Sequence, residues 1–251
     1  MGSFDGVAGI YSESRHSYPS ELRDYLVRIE ALEDNSVVVD LGAGTGQLAA
    51  LAATVASQVV AIDPEPDMVR VGRRATAELP SVRWVLGADR DLPDLLPRPV
   101  DLVLIGNAFH HMDHVRLLAD LDSLVTPSGA VVVCSSSVPV WLQETDWSAM
   151  LRQHLTQELG RPIGPAGTPD HESDMADLSN SPFSDVERWL WTREQQRGAE
   201  SIVGEILSSA SGAIDEAAAE RLNSALEPYL ANGTVTENVK TTALIATRPA
   251  S

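Results

Sequence analysis

Apolar residues in the first half of the chain are grouped in short runs and do not alternate with polar residues. The runs are rich in Val, Ile and Leu, which is typical of strands whose two faces are both covered by helices. They lie at residues 37–41, 59–63, 82–86, 100–105 and 130–134. Because helix-forming segments separate them, the pattern predicts an α/β fold with a mostly parallel sheet.

Helical spacing of apolar residues appears before the first strand and after the fifth. Residues 20–29 predict an amphipathic helix with Ser20 as N-cap, and its apolar face consists of Leu22, Tyr25, Leu26 and Ile29. Residues 138–159 predict a second helix. The following segment, 160–181, is rich in Gly, Pro, Ser and Asp and predicts a mobile loop.

The remainder of the chain predicts a strand, two helices and a last strand. The strand is expected at 185–191, and one helix passes through Ile202, Ile206 and Leu207. The next helix covers 215–229 and is ended by Asn232-Gly233, and the last strand covers 239–247. The chain is therefore predicted to be one domain, with the parts 1–33 (N-terminal helical lid), 34–136 (cofactor-binding core), 137–182 (insertion or cap) and 183–251 (C-terminal strand-helix-strand).

A glycine-dense turn follows the first strand and precedes helix-forming residues. Gly42, Gly44 and Gly46 lack a Cβ, so the backbone can approach a ligand and present amide hydrogens at a helix start. The dinucleotide fingerprint requires a further glycine at position 47, where this chain has Gln47. The turn therefore indicates a nucleotide-type cofactor and departs from the dinucleotide fingerprint at this position.

The segment Asp-Leu-Gly-Ala-Gly-Thr-Gly at 40–46 resembles the first motif of class I S-adenosylmethionine-dependent methyltransferases. The resemblance implies that the turn binds the cofactor and that Asp40 orients both the turn and the methionine amine. Asp63 ends the second strand, about 20 residues on, and is expected to bind the ribose. The cofactor-binding residues implied by these motifs are Asp40, Gly42, Ala43, Gly44, Gly46, Asp63 and Pro64.

Further motifs follow in the order that this family uses. The segment after the third strand, where the family meets the adenine, contains Ala88, Asp89 and Arg90. The family more often has the acidic residue directly after the glycine, where Ala88 stands. Either the Asp89 side chain or the nearby backbone is therefore expected to hold the adenine amine.

The segment 106–113 after the fourth strand also resembles the family, with Asn107 and Ala108 expected at the cofactor and His111 and Met112 replacing aromatic residues. Thr126-Pro127-Ser128-Gly129 resembles the family's proline-glycine turn. Near the start, the residues that resemble a lid over the cofactor are Tyr11, Arg15, Tyr18 and Pro19, with Arg15 expected to face the methionine carboxylate.

The resemblance covers residues 11–135 and implies a fold. We expect a Rossmann-like seven-stranded, mostly parallel sheet with helices on both faces, an N-terminal helical lid and a helical or loop insertion after strand five. The last strand is expected to lie antiparallel beside strand five. The implied cofactor is S-adenosyl-L-methionine, with S-adenosyl-L-homocysteine as the product.

Charge and cysteine content limit the partners. The formal net charge of −18 argues against a nucleic acid, whose phosphates require a basic surface, and against an anionic membrane. No segment has the length and apolarity of a membrane span, and the first residues do not resemble a signal peptide. The single cysteine, Cys134, lies in an apolar strand, so we expect no disulfide within the chain and a cytoplasmic location.

The chemistry implied by the resemblance is in-line displacement at a sulfonium methyl group. A hydroxyl acceptor would need a base, and His110 is the candidate because it follows the carboxyl end of strand four. The alternative is that His110 packs against cofactor or substrate. A metal site is not expected, because His111 replaces the Glu that the zincin pattern places between His110 and His114.

Tryptophans concentrate after strand five, and flat apolar walls suit an aromatic ring. We expect an acceptor site that includes Tyr18, His111, Trp141 and Trp147, although core packing explains tryptophans equally well. The expected acceptor is a small organic molecule of secondary metabolism, such as an aromatic or heteroaromatic compound, methylated at carbon, nitrogen or oxygen. Two alternatives stay open: an S-adenosylmethionine-binding protein that regulates or catalyses another reaction, and an NAD(P)-dependent oxidoreductase.

Overall fold

The structure is a computed structural model, and it describes residues 17–96, 99–136, 138–163, 170–209 and 214–249. The predicted lid residues Tyr11 and Arg15 lie outside the described residues. The chain divides into two compact units. Among the described residues, those within 17–136, 170–191 and 241–249 belong to the sheet unit, and those within 138–163, 192–209 and 214–240 belong to the helical unit.

The strands form a seven-stranded sheet in the order β3-β2-β1-β4-β5-β7-β6. Their bounds are β1 Val37–Leu41, β2 Gln58–Asp63, β3 Val82–Leu86, β4 Val100–Gly106, β5 Val125–Ser136, β6 Asp185–Arg197 and β7 Val235–Thr247. Strands β1 to β5 pair in parallel, and β7 lies antiparallel to β5 with Ala130 opposite Thr247. The predicted sheet, including its antiparallel last strand, is confirmed.

Helices connect successive strands of the described chain, as parallel pairing requires. Their bounds are α1 Ser20–Arg28, α2 Gln47–Ala52, α3 Pro66–Ala75, α4 Leu92–Leu95, α5 His114–Leu124, α6 Asp146–Leu159, α7 His171–Ser179, α8 Ala199–Ser209 and α9 Glu216–Leu226. Short 3₁₀ turns cover Asp89–Asp91, Phe109–His111, Val140–Leu142 and Glu227–Tyr229.

The sheet unit has a hydrophobic core on each face of its sheet, which explains the uninterrupted apolar runs. Val38, Leu102 and Val132 face one core, and their neighbours Val39 and Val103 face the other. Successive side chains of a strand point to opposite faces, so a strand buried on both sides has no polar position to alternate with. The carboxyl ends of β1, β2 and β4 consequently meet at one edge, where their polar loops are concentrated.

Helix α1 packs on the first of these cores through Leu22, Tyr25 and Leu26. The prediction that Ser20 caps this helix is wrong, because Pro19 is the N-cap and Ser20 is the first helical residue. Proline fixes the extended backbone that a helix entry requires without a side-chain bond. The helix ends at Arg28, so Ile29 is 36% exposed and lies outside the apolar face predicted for it.

Helix α7 replaces part of the loop predicted over 160–181. Asp170 caps it by accepting the amides of Glu172 and Ser173, and Leu178 is buried in the core with Phe183. The predicted helix over 138–159 begins at Asp146, after a 3₁₀ turn. Helix α9 ends at Leu226, well before Asn232-Gly233, which lie in the turn that enters β7.

The helical unit has its own core, built from α6, α8 and α9 around Trp141, Trp147 and Leu222. A buried ion cluster lies beside it. The Arg197 guanidinium is 2.7 Å from a Glu205 oxygen and 3.2 Å from a Glu237 oxygen, and Gln143 donates to Glu237. Strands β6 and β7 extend beyond the predicted bounds through residues 192–197 and 235–238, and the two buried polar residues of these extensions, Arg197 and Glu237, belong to this cluster.

Candidate cofactor site

The predicted cofactor turn lies at the carboxyl end of β1 and has a left-handed backbone at each of its glycines. The φ angles of Gly42, Gly44 and Gly46 are +69°, +57° and +90°, a region that side-chain-bearing residues rarely occupy. A Cβ on Gly42 would come within 2.6 Å of Ala108 Cβ. The turn therefore needs glycine both for its own conformation and for its contact with the loop after β4.

Backbone bonds fix this turn against β2. The amides of Gly42 and Ala43 both donate to the Ile62 carbonyl, at 2.9 and 3.0 Å. The Asp63 carboxylate accepts the Gly44 amide through Oδ2 at 2.7 Å and the Glu65 amide through Oδ1 at 2.9 Å. Asp63 thus joins the turn after β1 to the turn after β2, and each of its oxygens retains a lone pair for a further donor.

Asp40 links the end of β1 to helix α2, which follows the turn. It is 1% exposed, and its Oδ2 accepts the Ala49 amide of α2 at 2.8 Å. The pKa of Asp40 is raised to about 7, chiefly by burial; the Ala49 bond opposes this rise and the nearby Asp63 charge contributes to it. Burial also raises the pKa of Asp63, opposed by its two amide bonds. Asp40 and Asp63 are therefore close enough to interact, in a buried region next to the glycine turn.

The loop after β3 lies next to Asp63. The Gly87 amide donates to the Asp63 carbonyl at 3.1 Å, and the Ala88 amide donates to the Asp91 carboxylate at 2.9 Å. The Asp89 carboxylate, however, forms an ion pair with Arg116 of α5. The Arg90 side chain is 75% exposed, beside Asp91. Sequence reasoning missed Arg116, although its spacing of four residues from Asp120 on a helix is a recognisable charge pattern.

Asn107 connects the ends of β4, β5 and the N-terminal segment. It has a left-handed φ of +52°, which asparagine tolerates better than most residues. Its Oδ1 accepts the Ser136 amide at 3.2 Å, and its Nδ2 donates to the Tyr18 hydroxyl at 3.1 Å. The structure therefore brings together Tyr18, Asn107 and, through the Gly42 contact, Ala108.

His110 and His111 lie in the 3₁₀ turn that follows β4. His110 is half-buried and His111 is exposed, with ring centroids 3.9 Å apart. The neighbouring His114 holds the turn in place: its Nε2 is 2.9 Å from the Phe109 carbonyl and its Nδ1 is 2.7 Å from Asp177 Oδ2.

The predicted acceptor residues Trp141 and Trp147 lie in the core of the helical unit. They are 8% and 6% exposed, and no hydrogen-bond partner of the Trp141 indole nitrogen is found among the described residues. Their role in acceptor binding stays a prediction from the sequence. Across the part of the chain that the structure describes, no group of three or more His, Cys, Asp or Glu side chains is arranged to hold a metal ion.

The chain is similar to known methyltransferases over most of its length. It is 34% identical over 186 residues to the uncharacterized methyltransferase Rv3342 of Mycobacterium tuberculosis, covering 74% of this chain and 68% of that protein. The chain is a class I S-adenosylmethionine-dependent methyltransferase. A family model described as a methyltransferase domain matches residues 38–129, the region that contains the glycine turn, Asp63 and Asn107.

Solved structures share the fold of this methyltransferase. A proposed type II methyltransferase from Anaeromyxobacter dehalogenans superposes with a TM-score of 0.66 at 20% identity, over 93% of this chain and 97% of the other. A geranyl diphosphate methyltransferase solved in complex with S-adenosylmethionine superposes with a TM-score of 0.50 at 14% identity, over 99% and 92%. At these identities the likenesses show a shared fold.

The cofactor of this methyltransferase is S-adenosyl-L-methionine, and the turn fits it. A Cβ would fill the space over Gly42, the hydroxyl of Thr45 is buried without a hydrogen-bond partner among the described residues, and carboxylates border the turn at Asp40 and Asp63. S-adenosylmethionine is a positively charged amino acid joined to a nucleoside, and it matches this combination of small residues and acids.

No helix in the described part of the chain is both long and apolar enough to cross a bilayer.

Proposed function

We propose that this methyltransferase transfers the methyl group of S-adenosylmethionine to a small organic acceptor. The observation that carries the proposal is the bond between the Gly44 amide and Asp63 Oδ2 at 2.7 Å, which fixes the glycine turn beside the carboxylate that we propose binds the ribose. The similarity to a geranyl diphosphate methyltransferase supports an acceptor of small-molecule size. We further propose an aromatic or heteroaromatic natural product, accepting at carbon, nitrogen or oxygen.

We propose the following residue roles. The backbone at Gly42, Ala43, Gly44 and Gly46 lies against the cofactor, and Asp40 orients the turn and the amino group of the methionine part. The Asp63 carboxylate, next to Pro64, accepts hydrogen bonds from the ribose hydroxyls. The adenine lies along Ala88, Asp89 and Arg90. Asn107 and Ala108 border the reactive end. Bound S-adenosylmethionine supplies a methyl group on a positively charged sulfur, so the chain itself needs to align the acceptor and exclude water.

His110 is proposed as the proton acceptor for a hydroxyl or similar acceptor group. The imidazole is half-buried, and its turn is held by the contacts of His114 with Phe109 and Asp177. A base must be held within hydrogen-bond reach of the proton it removes, which a fixed turn favours. Tyr18 and His111 are proposed to contact the acceptor, since Tyr18 reaches Asn107 at the end of β4.

We propose that the protein acts in the cytoplasm without nucleic-acid or membrane partners. Its net charge of −18 is unfavourable for binding phosphate-rich surfaces. The only cysteine, Cys134, is free and buried, and burial raises the pKa of its thiol. A buried neutral thiol is compatible with a reducing compartment.

Methyl transfer is tested with S-adenosylmethionine labelled in its methyl group and a panel of phenols, indoles, carboxylates and amines. Mass spectrometry of each mixture should show an acceptor that gains one labelled methyl group, together with S-adenosylhomocysteine. A matched reaction with Gly46→Ala, at the same protein concentration, should give far less product. Consumption of an acceptor without a change in the cofactor would refute methyl transfer and support a different reaction at the same site.

A further inference from the structure

Helix α7 is bonded to the carboxyl ends of two neighbouring strands. Its first residue, His171, is hydrogen-bonded through Nε2 to the hydroxyl of Ser135 at the end of β5. Further along the helix, Asp177 Oδ2 is 2.7 Å from Nδ1 of His114, whose Nε2 is 2.9 Å from the Phe109 carbonyl after β4. Ligands of open α/β sheets bind outside the carboxyl ends of the strands. Helix α7 therefore borders the region where an acceptor is expected.

Ser135 is adjacent to the residue proposed for the reactive end of the cofactor. Its neighbour Cys134 lies opposite Gly106 in the parallel pair of β4 and β5, and the Cys134 carbonyl accepts the Asn107 amide at 2.8 Å. On the other side, the Ser136 amide donates to Asn107 Oδ1 at 3.2 Å. The backbone on both sides of Ser135 is therefore bonded to Asn107.

The Ser135 hydroxyl can bind a group from outside the chain. Ser135 is 6% exposed, and His171 is the one hydrogen-bond partner found for its hydroxyl among the described residues. Either the hydroxyl donates to a neutral Nε2, or a protonated Nε2 donates to the hydroxyl oxygen. The oxygen has two lone pairs, so in both cases at least one remains for an O–H or N–H donor. The imidazole fixes the orientation of this hydrogen-bond acceptor.

The charge of α7 disfavours an anionic partner. The helix and its cap carry four acidic residues: Asp170, Glu172, Asp174 and Asp177. Arg188 forms an ion pair with Glu172 at 2.8 Å, whereas Asp174 is 3% exposed and its Oδ2 has no hydrogen-bond partner among the described residues. The pKa of Asp174 is raised to about 6, chiefly by burial, so this side chain is largely ionised above neutral pH. The helix therefore repels a carboxylate.

We propose that Ser135 binds an O–H or N–H group of the acceptor, and that His171 is a positioning residue that orients the Ser135 hydroxyl. The acceptor is then a neutral aromatic compound with a hydroxyl or amino substituent in addition to the group that is methylated. An aromatic carboxylate is disfavoured. This inference rests on the proposed function, which places the reactive end at Asn107 and the proton acceptor at His110.

The test uses the full chain saturated with S-adenosylhomocysteine and two probes with the same ring, resorcinol and 3-hydroxybenzoate. Dissociation constants are measured from the NMR signals of each probe. The imidazole signal of His171 is followed in histidine-labelled protein and is assigned by its loss in His171→Gln. Resorcinol should shift this signal saturably and bind about fivefold or more tightly than 3-hydroxybenzoate at low ionic strength, a preference that added salt decreases.

Substitutions separate the hydrogen bond from the charge. Ser135→Ala should weaken resorcinol about threefold to tenfold, the usual effect of losing one hydrogen bond. Ser173→Ala is the matched control, because Ser173 is exposed on the same helix, and it should leave the constant unchanged. His171→Leu should weaken resorcinol as Ser135→Ala does, whereas His171→Gln should retain part of the affinity because a carboxamide can bond to a hydroxyl. Asp174→Asn should reduce the preference over 3-hydroxybenzoate.

The contrary outcomes are distinct, and thermal unfolding checks that each variant is folded. Resorcinol binding that is unaffected by Ser135→Ala, or that does not shift the His171 signal, would place the acceptor elsewhere. A loss in Ser135→Ala without a loss in His171→Leu would remove the positioning role of His171. Tighter binding of 3-hydroxybenzoate would overturn the selection by charge. A folded protein that binds S-adenosylhomocysteine but neither probe would overturn the inference, and one that does not bind S-adenosylhomocysteine would refute the proposed function itself.

Discussion

The indole of Trp84 lies directly against the α-carbon of Gly46. A Cβ at position 46 would be 2.7 Å from Trp84 Cζ2 and 3.2 Å from Cη2, and Gly46 has a φ of +90°. The ring is also fixed by a hydrogen bond, because Trp84 Nε1 donates to Thr76 Oγ1 at 2.9 Å. Position 46 therefore requires glycine on two independent grounds: its left-handed backbone and its close approach to Trp84.

Gly46→Ala is expected to reduce stability and cofactor affinity together. The left-handed backbone costs an alanine about 1–2 kcal/mol, and displacing Trp84 adds about 1–3 kcal/mol. Gly160→Ala is the matched control, because Gly160 has a φ of +64° but no atom lies within 4 Å of the place that a Cβ would take. Urea unfolding and S-adenosylhomocysteine titration of both variants measure the difference. Equal losses of stability in the two variants would show that Trp84 does not constrain the turn.

Thr241→Val is expected to stabilise the protein. Thr241 is fully buried and its hydroxyl has no hydrogen-bond partner among the described residues. An unpaired buried hydroxyl costs about 1–3 kcal/mol, and valine has nearly the same shape. Each kcal/mol corresponds to a rise of about 2–4 °C in Tm for a chain of this size.

Thr76→Val makes the same chemical change as Thr241→Val, but it is expected to destabilise the protein. The Thr76 hydroxyl donates to the Gly72 carbonyl at 2.8 Å and accepts from Trp84 Nε1 at 2.9 Å. Its loss leaves the buried indole N–H unpaired, so we expect a loss of about 1–3 kcal/mol. Thermal unfolding of the two variants should shift Tm in opposite directions. A decrease in both would contradict the assignment of Thr241 as unpaired.

Asp40 is expected to make stability depend on pH. Its pKa is raised from 3.8 to about 7 in the folded protein, so the folded state holds this proton over a range where the unfolded state has lost it. The stabilisation is complete below about pH 3.8, declines as the pH rises towards 7 and is absent above it. Ionised Asp40 is then an unfavourable buried charge.

Asp40→Asn tests this dependence, because asparagine is neutral and can still accept the Ala49 amide. The Tm of the variant relative to the wild type should increase from about pH 4, near the ordinary pKa of 3.8, and level off above the folded-state pKa of about 7. Measurements in a buffer series of constant ionic strength give the difference directly. A difference that does not change with pH, or that decreases, would exclude titration of Asp40 in this range.

Strand positions near the cofactor were predictable because both faces of the sheet are buried. Val38 and Val39 face different cores, so the strand appears in the sequence as an apolar run that ends where the polar turn begins. Helix α7 was not predictable from composition. Glu172, Ser173 and Ser179 are exposed, and the helix is buried through the contact of Leu178 with Phe183, which local sequence does not reveal.

The site was predictable where backbone conformation dictates the residue, and not where side chains from distant segments meet. Gly42 and Gly46 follow from the turn itself. The Asp89–Arg116 pair joins residues 27 positions apart, and the bond of His114 to Asp177 joins residues 63 positions apart. Charged residues of these types are common on surfaces, so only the fold shows which of them are paired.

His110→Ala is expected to lower turnover about 10²-fold to 10⁴-fold with a hydroxyl acceptor, the usual contribution of a general base. The dissociation constant of S-adenosylhomocysteine should change less than about twofold, since His110 is proposed to act on the acceptor. His154→Ala is the control, because the one hydrogen bond found at the His154 ring among the described residues is with the Met150 carbonyl of its own helix. Equal losses in turnover and cofactor affinity for His110→Ala would assign the imidazole to packing.

Binding of the cofactor by the glycine turn is checked by isothermal titration of the folded protein with S-adenosylhomocysteine. We predict saturable heat with one site per chain, and a large loss of affinity in Gly46→Ala while Gly160→Ala binds as the wild type does. No heat of binding with either S-adenosylhomocysteine or S-adenosylmethionine, from a sample with a cooperative unfolding transition, would show that the turn does not hold this cofactor.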